Sequence, residues 1–143
     1  MKVLLQRVRR AEVRVEGQAV GSIGAGLLVF IGVERGDGPE EVEAYAAKTA
    51  ELRIFGDGAG RMNLDVRQAG GAILVVSQFT LAGSTRRGLR PSFDGAAEPG
   101  RANELYLAYV GALRARGLSV ETGVFGAMME VELVNDGPVT FLL

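Results

Sequence analysis

The chain has 143 residues, 48% of them hydrophobic, and a net charge of −1; this suits one domain with a real core and excludes both intrinsic disorder and a general polyanion binder. It contains no cysteine and no histidine, which excludes a disulfide framework, a thiol nucleophile, a Cys/His zinc site and a Ser-His-Asp triad. A Ser-Lys dyad would have to use Lys2 or Lys48, and neither sits in a motif that suggests one. The longest apolar stretch, AGLLVFIGV, is too short to span a membrane. The N-terminus runs apolar and then basic, the reverse of a signal peptide. A soluble cytoplasmic protein with no membrane partner, no metal and no cofactor is the expectation.

The N-terminal segment carries a first arginine patch, Arg7, Arg9, Arg10 and Arg14, in which Arg14 alternates with Val13 and Val15 as on a solvated strand face. VRVEGQAVGSIGAGLLVFIGV then reads as short strands joined by glycine turns. DGPEEVEAYAAKTAEL switches to helical spacing, with Val42, Tyr45, Ala46 and Thr49 on one stripe. Asp37 near the cap, Pro39 in the first turn and Glu40 are its start signals. FGDGAGRMN is a glycine-rich turn without the acidic ligands of a calcium loop.

AILVVSQFTL (72–81) is a continuous apolar run, as expected of a strand buried on both faces. RANELYLAYVGALRARG predicts a second helix, preceded by Pro99, ended by Gly117 and striped by Leu105, Ala108, Tyr109 and Ala112. Strands follow at LSVETG, at MMEVELV with Glu130 and Glu132 facing outward, and at PVTFLL. The fold expected is α+β: one domain over residues 1–143, with a mostly antiparallel or mixed sheet and two covering helices.

Three places could carry chemistry. Ser77, Gln78 and Thr80 put polar side chains at the end of the apolar strand. They could bond neighbouring backbone where the strand surfaces, or line a site that opens there. Strand parity puts Ser77 and Phe79 on one face and Gln78 and Thr80 on the other. If both faces serve one site the backbone must bend, and the amides at such a bend could form an oxyanion hole. The stretch RRGLRPSFDG places Arg86, Arg87, Arg90 and Phe93 in one loop. It is either a solubilising loop or a contact for phosphates and a stacked base. NDGPVT interrupts two apolar runs with Gly137-Pro138; from the residues alone it is an ordinary turn with a trans peptide bond.

VVSQFTL, RPSF and VNDGPVTF together resemble the D-aminoacyl-tRNA deacylase family, as do LLQRVRRAEVRVEG, LRIFGDGAGRMNLDV and QAGGAILVVSQFTLA, so that the resemblance runs from Met1 to Leu143. It implies a barrel-like, β-rich fold and a homodimer with sites at the subunit interface. It implies cleavage of the ester between a D-amino acid and tRNA, with glycyl-tRNA also accepted. The implied pocket motif is Ser77, Gln78, Phe79 and Thr80, with Phe125, Met129 and Asn135 nearby. A cis Gly137-Pro138 turn from the other subunit would reject L-aminoacyl esters by sterics. The partner is then aminoacyl-tRNA, met by Arg86, Arg87, Arg90 and Phe93, and not DNA. With no histidine to activate Thr80, the terminal ribose 2′-hydroxyl is expected to assist catalysis.

Overall fold

The computed structural model describes residues 1–143. Its first strand, β1 (Lys2–Val15), is long enough to organise the sheet. β2 (Gln18–Ile23) and β3 (Gly26–Gly32) follow it through tight turns, and both pair with it antiparallel, β3 along its first half and β2 along its second. The chain then crosses over through α1 (Pro39–Glu51) and a small hairpin, β4 (Phe55–Gly56) and β5 (Met62–Leu64). β6 (Ala72–Ser77) enters parallel to β3. A second crossover through α2 (Pro99–Ala115) brings β7 (Val120–Thr122) parallel to β6. The last strand, β8 (Glu130–Leu142), returns to the other edge of β1. The sheet is therefore mixed. It also curls: a Cβ built on Gly21 of β2 would come within 2.4 Å of the Thr122 carbonyl on β7, so only glycine lets these two strands approach.

Alternation along the strands divides the core. Leu27, Val29, Ile31, Ile73 and Val75 face the helices and meet Ala46, Leu105, Tyr109 and Leu113. Leu28, Leu74 and Val76 face the inside of the curl and meet Val8, Val13 and Ile23. β6 is thus buried on both faces, as its unbroken apolar run predicts. Two buried tyrosines complete the helix layer. Tyr109 shares a hydrogen bond of 2.7 Å with Thr49, and the Tyr106 hydroxyl donates to the Val75 carbonyl at 3.0 Å. Burial raises both phenol pKa values, that of Tyr106 to about 12.

Four expectations need correction. α1 is capped by Gly38, whose N–H donates to the Glu41 carboxylate at 2.8 Å; Asp37 instead accepts from the Glu34 N–H. The buried stripe of α2 is Ala102, Leu105, Tyr106, Tyr109, Val110 and Leu113, while Ala108 is exposed, because an alanine fits either face. β6 ends at Ser77 instead of running to residue 81. The Gly-Pro segment is no hairpin. Both runs flanking it belong to β8 and pair with the same strand, Gln6 with Thr140 and Val8 with Asn135. Opposite the single residue Arg7, residues 136–139 bulge outward.

Candidate active site

The site begins where β6 stops. The Gln78 N–H still donates to the Ile31 carbonyl at 2.7 Å, the last rung towards β3. Gln78 then turns the chain with φ −140° and ψ 78°, and Phe79–Ala82 form one turn of 3₁₀ helix. This is the bend that strand parity requires if Ser77 and Thr80 are to serve one place. Later amides in the turn are paired, Leu81 N–H to Gln78 O at 3.1 Å and Gly83 N–H to Thr80 O at 3.0 Å. The N–H groups of Phe79 and Thr80 open the turn and so have no partner within it. Adjacent amides at the start of a turn on a surface bend are donors suited to a ligand oxygen. Gly32 on β3 makes room for the turn: a Cβ there would stand 2.8 Å from Leu81 Cβ and 3.0 Å from Gln78 O.

The bend opens onto a cavity of about 470 Å³. Ser77, Gln78 and Phe79 line it on one side, and Phe125 and Met129 lie across it. Its walls also include Ile31, Val33, Ala97, Pro99 and Ala102, which the sequence alone does not mark, since apolar side chains advertise no chemistry. Twelve of the sixteen lining residues are hydrophobic and none is ionisable. Gly123 admits Met129, because a Cβ there would meet its sulfur at 2.7 Å. Phe125 stacks obliquely on Tyr106 with ring centroids 5.9 Å apart.

Thr80 is exposed beside the cavity and does not line it. The Gln78 side-chain amide donates to the Thr80 hydroxyl oxygen. An amide is no base in either orientation, so nothing here takes the hydroxyl proton.

The Gly137-Pro138 peptide bond is cis, and both residues are exposed. Neither they nor Asn135 line the cavity of their own chain. Asn135 staples the bulge instead. Its Oδ1 accepts from the Val139 N–H at 2.9 Å, and its Nδ2 donates to Thr140 Oγ1 at 3.1 Å. Arg7 clamps the bulge from below, with Nε donating to the Asp136 carbonyl at 3.0 Å and Nη1 to the Ile54 carbonyl at 2.6 Å.

The two arginine patches differ in how far they are used. Arg10 and Arg14 both bond Glu132 across β1 and β8, and these bonds hold the Glu132 carboxyl below its ordinary pKa. Arg86, Arg87 and Arg90 make no side-chain hydrogen bond and no ion pair, and all three are exposed. Phe93 is half-buried, with its ring against Phe79.

The fold and site define an α+β protein in which a broken central strand offers backbone donors over an apolar pocket, with no acid–base side chain. Residues 4–143 match the sequence profile of the family described as D-Tyr-tRNA(Tyr) deacylase. The D-aminoacyl-tRNA deacylase of Anaeromyxobacter dehalogenans (strain 2CP-C) is 60% identical over 143 residues, covering 100% of this chain and 96% of that one. The enzyme of the same name from Syntrophotalea carbinolica is 58% identical over the same spans. A solved structure titled c-Myc DNA Unwinding Element Binding Protein superposes with a TM-score of 0.94 at 37% identity, covering 100% of this chain and 97% of that one. A probable eukaryotic D-amino acid tRNA deacylase shares the fold, with a TM-score of 0.82 at 18% identity over 99% of this chain and 97% of that one. The chain belongs to the D-Tyr-tRNA(Tyr) deacylase family. No helix is long and apolar enough to cross a membrane.

Proposed function

We propose that the protein hydrolyses the ester joining a D-amino acid to the 3′ end of tRNA, with glycyl-tRNA as a second substrate, and leaves L-aminoacyl-tRNA intact. The observation that carries this reading is the pocket itself. On a chain that matches the family nearly end to end, the turn at the pocket edge presents two amides with no partner within it, at Phe79 and Thr80, and no ionisable side chain lines the pocket. Amide donors stabilise the oxyanion of an ester's tetrahedral intermediate, a contribution of order 10²–10³ in rate for one donor. The attacking water then needs a base the protein does not provide. The terminal ribose 2′-hydroxyl, next to the 3′ ester, relays the proton instead: it takes one from the water as it passes its own to the departing 3′-oxygen. Ser77 and Gln78 orient the ester, and Phe79, Phe125 and Met129 form apolar walls around it.

Chirality is selected by the bulge at Gly137-Pro138, acting in the pocket of a second copy. Its placement away from its own cavity supports a homodimer with sites at the subunit interface. So does the exposed apolar surface of β8 at Val134, Phe141 and Leu142. Backbone carbonyls on a clamped bulge hold the substrate's α-amino group and fill the space an L-side chain needs. A hydrogen or a D-side chain avoids the overlap. Each tenfold of discrimination takes about 1.4 kcal/mol, and a steric overlap supplies several such factors. Arg86, Arg87 and Arg90 meet the phosphates of the tRNA 3′ strand. The reaction belongs to the cytoplasm, where aminoacyl-tRNA is used.

The rival reading is nucleic-acid binding without turnover, which the unpaired arginine loop and the 37%-identical relative described as a DNA-unwinding-element binding protein favour. D-Tyrosyl-tRNA ending in 2′-deoxyadenosine tests the mechanism. Its cleavage falls several-thousandfold below that of the natural ester, while Thr80→Ala loses only a few-fold. The reverse pattern makes Thr80 the nucleophile. Salt-dependent RNA binding with no ester loss by the wild-type protein favours the rival.

A further inference from the structure

Between the site turn and α2 the chain makes an exposed loop whose base is closed by the serines on either side of the arginines. Ser84 and Ser92 exchange both backbone hydrogen bonds, at 2.7 and 2.9 Å, and Ser92 Oγ donates to Asp94 at 2.7 Å. The residue after this clasp is Phe93. Its carbonyl accepts from the Ala96 N–H at 2.9 Å, which fixes its backbone. Its ring lies against Phe79 with centroids 5.0 Å apart and planes at 59°, within the tilted geometry that aromatic pairs prefer. Gly83 sits beneath the pair: a Cβ there would stand 2.9 Å from both the Phe93 ring and the Thr80 carbonyl. Phe79 itself is 57% exposed, so the Phe93 ring is a main restraint on a large side chain at the cavity mouth.

We propose that Phe93 is a positioning residue for deacylation. Its ring sets Phe79, and with it the turn from Gln78 to Ala82, and ties that turn to the arginine loop. Phosphates held by Arg86, Arg87 and Arg90 and the ester held at the pocket are then kept in one register. Phe93 touches neither the ester nor the RNA; it acts through Phe79. The inference rests on the deacylase reading of the site.

The test measures kcat and KM for D-tyrosyl-tRNA with Phe93→Leu, Phe93→Tyr and the triple variant Arg86→Gln/Arg87→Gln/Arg90→Gln. Phe93→Leu is expected to lower kcat tenfold or more with KM within about twofold, and Phe93→Tyr to recover most of the rate by restoring the ring pair. The triple variant raises KM and flattens its salt dependence. The amide resonances of Phe79 and Thr80 move in Phe93→Leu while those of α1 stay. If Phe93→Leu fails to fold, Gly83→Ala perturbs the same contact from below and is expected to show the same kcat loss. An unchanged kcat in Phe93→Leu overturns the proposal. So does a rise in KM alone, which makes Phe93 an RNA contact, and so does a Phe93→Tyr variant as slow as Phe93→Leu. Failure of the wild-type protein to cleave any aminoacyl-tRNA overturns the deacylase reading instead, and the amide shifts still decide whether Phe93 positions the turn.

Discussion

Gly32→Ala tests whether the turn after β6 is the working part of the site. The added Cβ would stand 2.8 Å from Leu81 Cβ and 3.0 Å from Gln78 O, with Ala82 N at 3.3 Å. Carbon atoms rest at about 3.5–4.0 Å. The turn must therefore retreat by roughly 0.5–1 Å, since Gly32 lies within paired strand and cannot move freely. Overpacking of this size costs about 1–3 kcal/mol of stability, or roughly 3–10 °C in Tm. A misplacement of ~1 Å in reacting geometry costs up to about 10²-fold in rate. The assay is single-turnover cleavage of D-tyrosyl-tRNA at saturating enzyme, well below Tm. The expected rate loss is ten- to a hundredfold. Gly71→Ala is the control. Its Cβ would meet Gly26 Cα at 3.0 Å and Val66 at 3.2 Å, at the opposite end of β6. It loses stability and keeps its rate. Gly32→Ala with a destabilised fold but a wild-type rate would refute the placement of the chemistry at this turn.

Gly137→Ala is expected to disturb the bulge. Gly137 has φ +137°, and a Cβ there would stand 2.7 Å from Val139 Cγ2 and 3.2 Å from Arg7 Nη2. The ratio of D- to L-tyrosyl-tRNA cleavage falls at least tenfold in this variant; an unchanged ratio would detach the bulge from selection. Tyr109→Phe leaves the Thr49 hydroxyl unpaired in the core. That costs about 1–3 kcal/mol, read as a lower urea midpoint with unchanged slope; a neutral result contradicts the pairing. Tyr106 carries the alkaline prediction. Burial raises its pKa from 10.0 to about 12, so the folded protein keeps a proton that the unfolded chain loses first. The stability this group supplies is whole below pH 10 and falls as pH rises towards 12. Tyr106→Phe makes that decline shallower, and identical declines would refute it.

What could be read from the sequence follows a physical line. β6 and the two helices were legible because burial on both faces, or on one stripe, leaves a local pattern in the residues themselves. The bulge at residues 136–139 was not. Its partner strand lies some 130 residues away, and a Gly-Pro between two apolar runs reads locally as a hairpin turn. The stripe of α2 was misjudged at Ala108 because alanine takes either side of a helix at little cost. At the site, Ser77, Gln78 and Thr80 stand out as polar residues closing an apolar run, and parity requires a bend only if both faces serve one site. Phe79, Phe125 and Met129, which line the cavity, stand out only through family resemblance, and the walls at Ala97, Pro99 and Ala102 give no signal at all. Glycine at 32 and 83 likewise looks like turn punctuation until the contacts that a Cβ would make are known.

The most direct test of the account is a paired time course of ester loss from matched D-tyrosyl-tRNA and L-tyrosyl-tRNA with the purified protein. The account predicts rapid loss of the D-ester and an L-ester that decays no faster than in buffer. Equal cleavage of both would remove chiral selection by Gly137-Pro138, and cleavage of neither, with tRNA still bound, would contradict the enzyme itself.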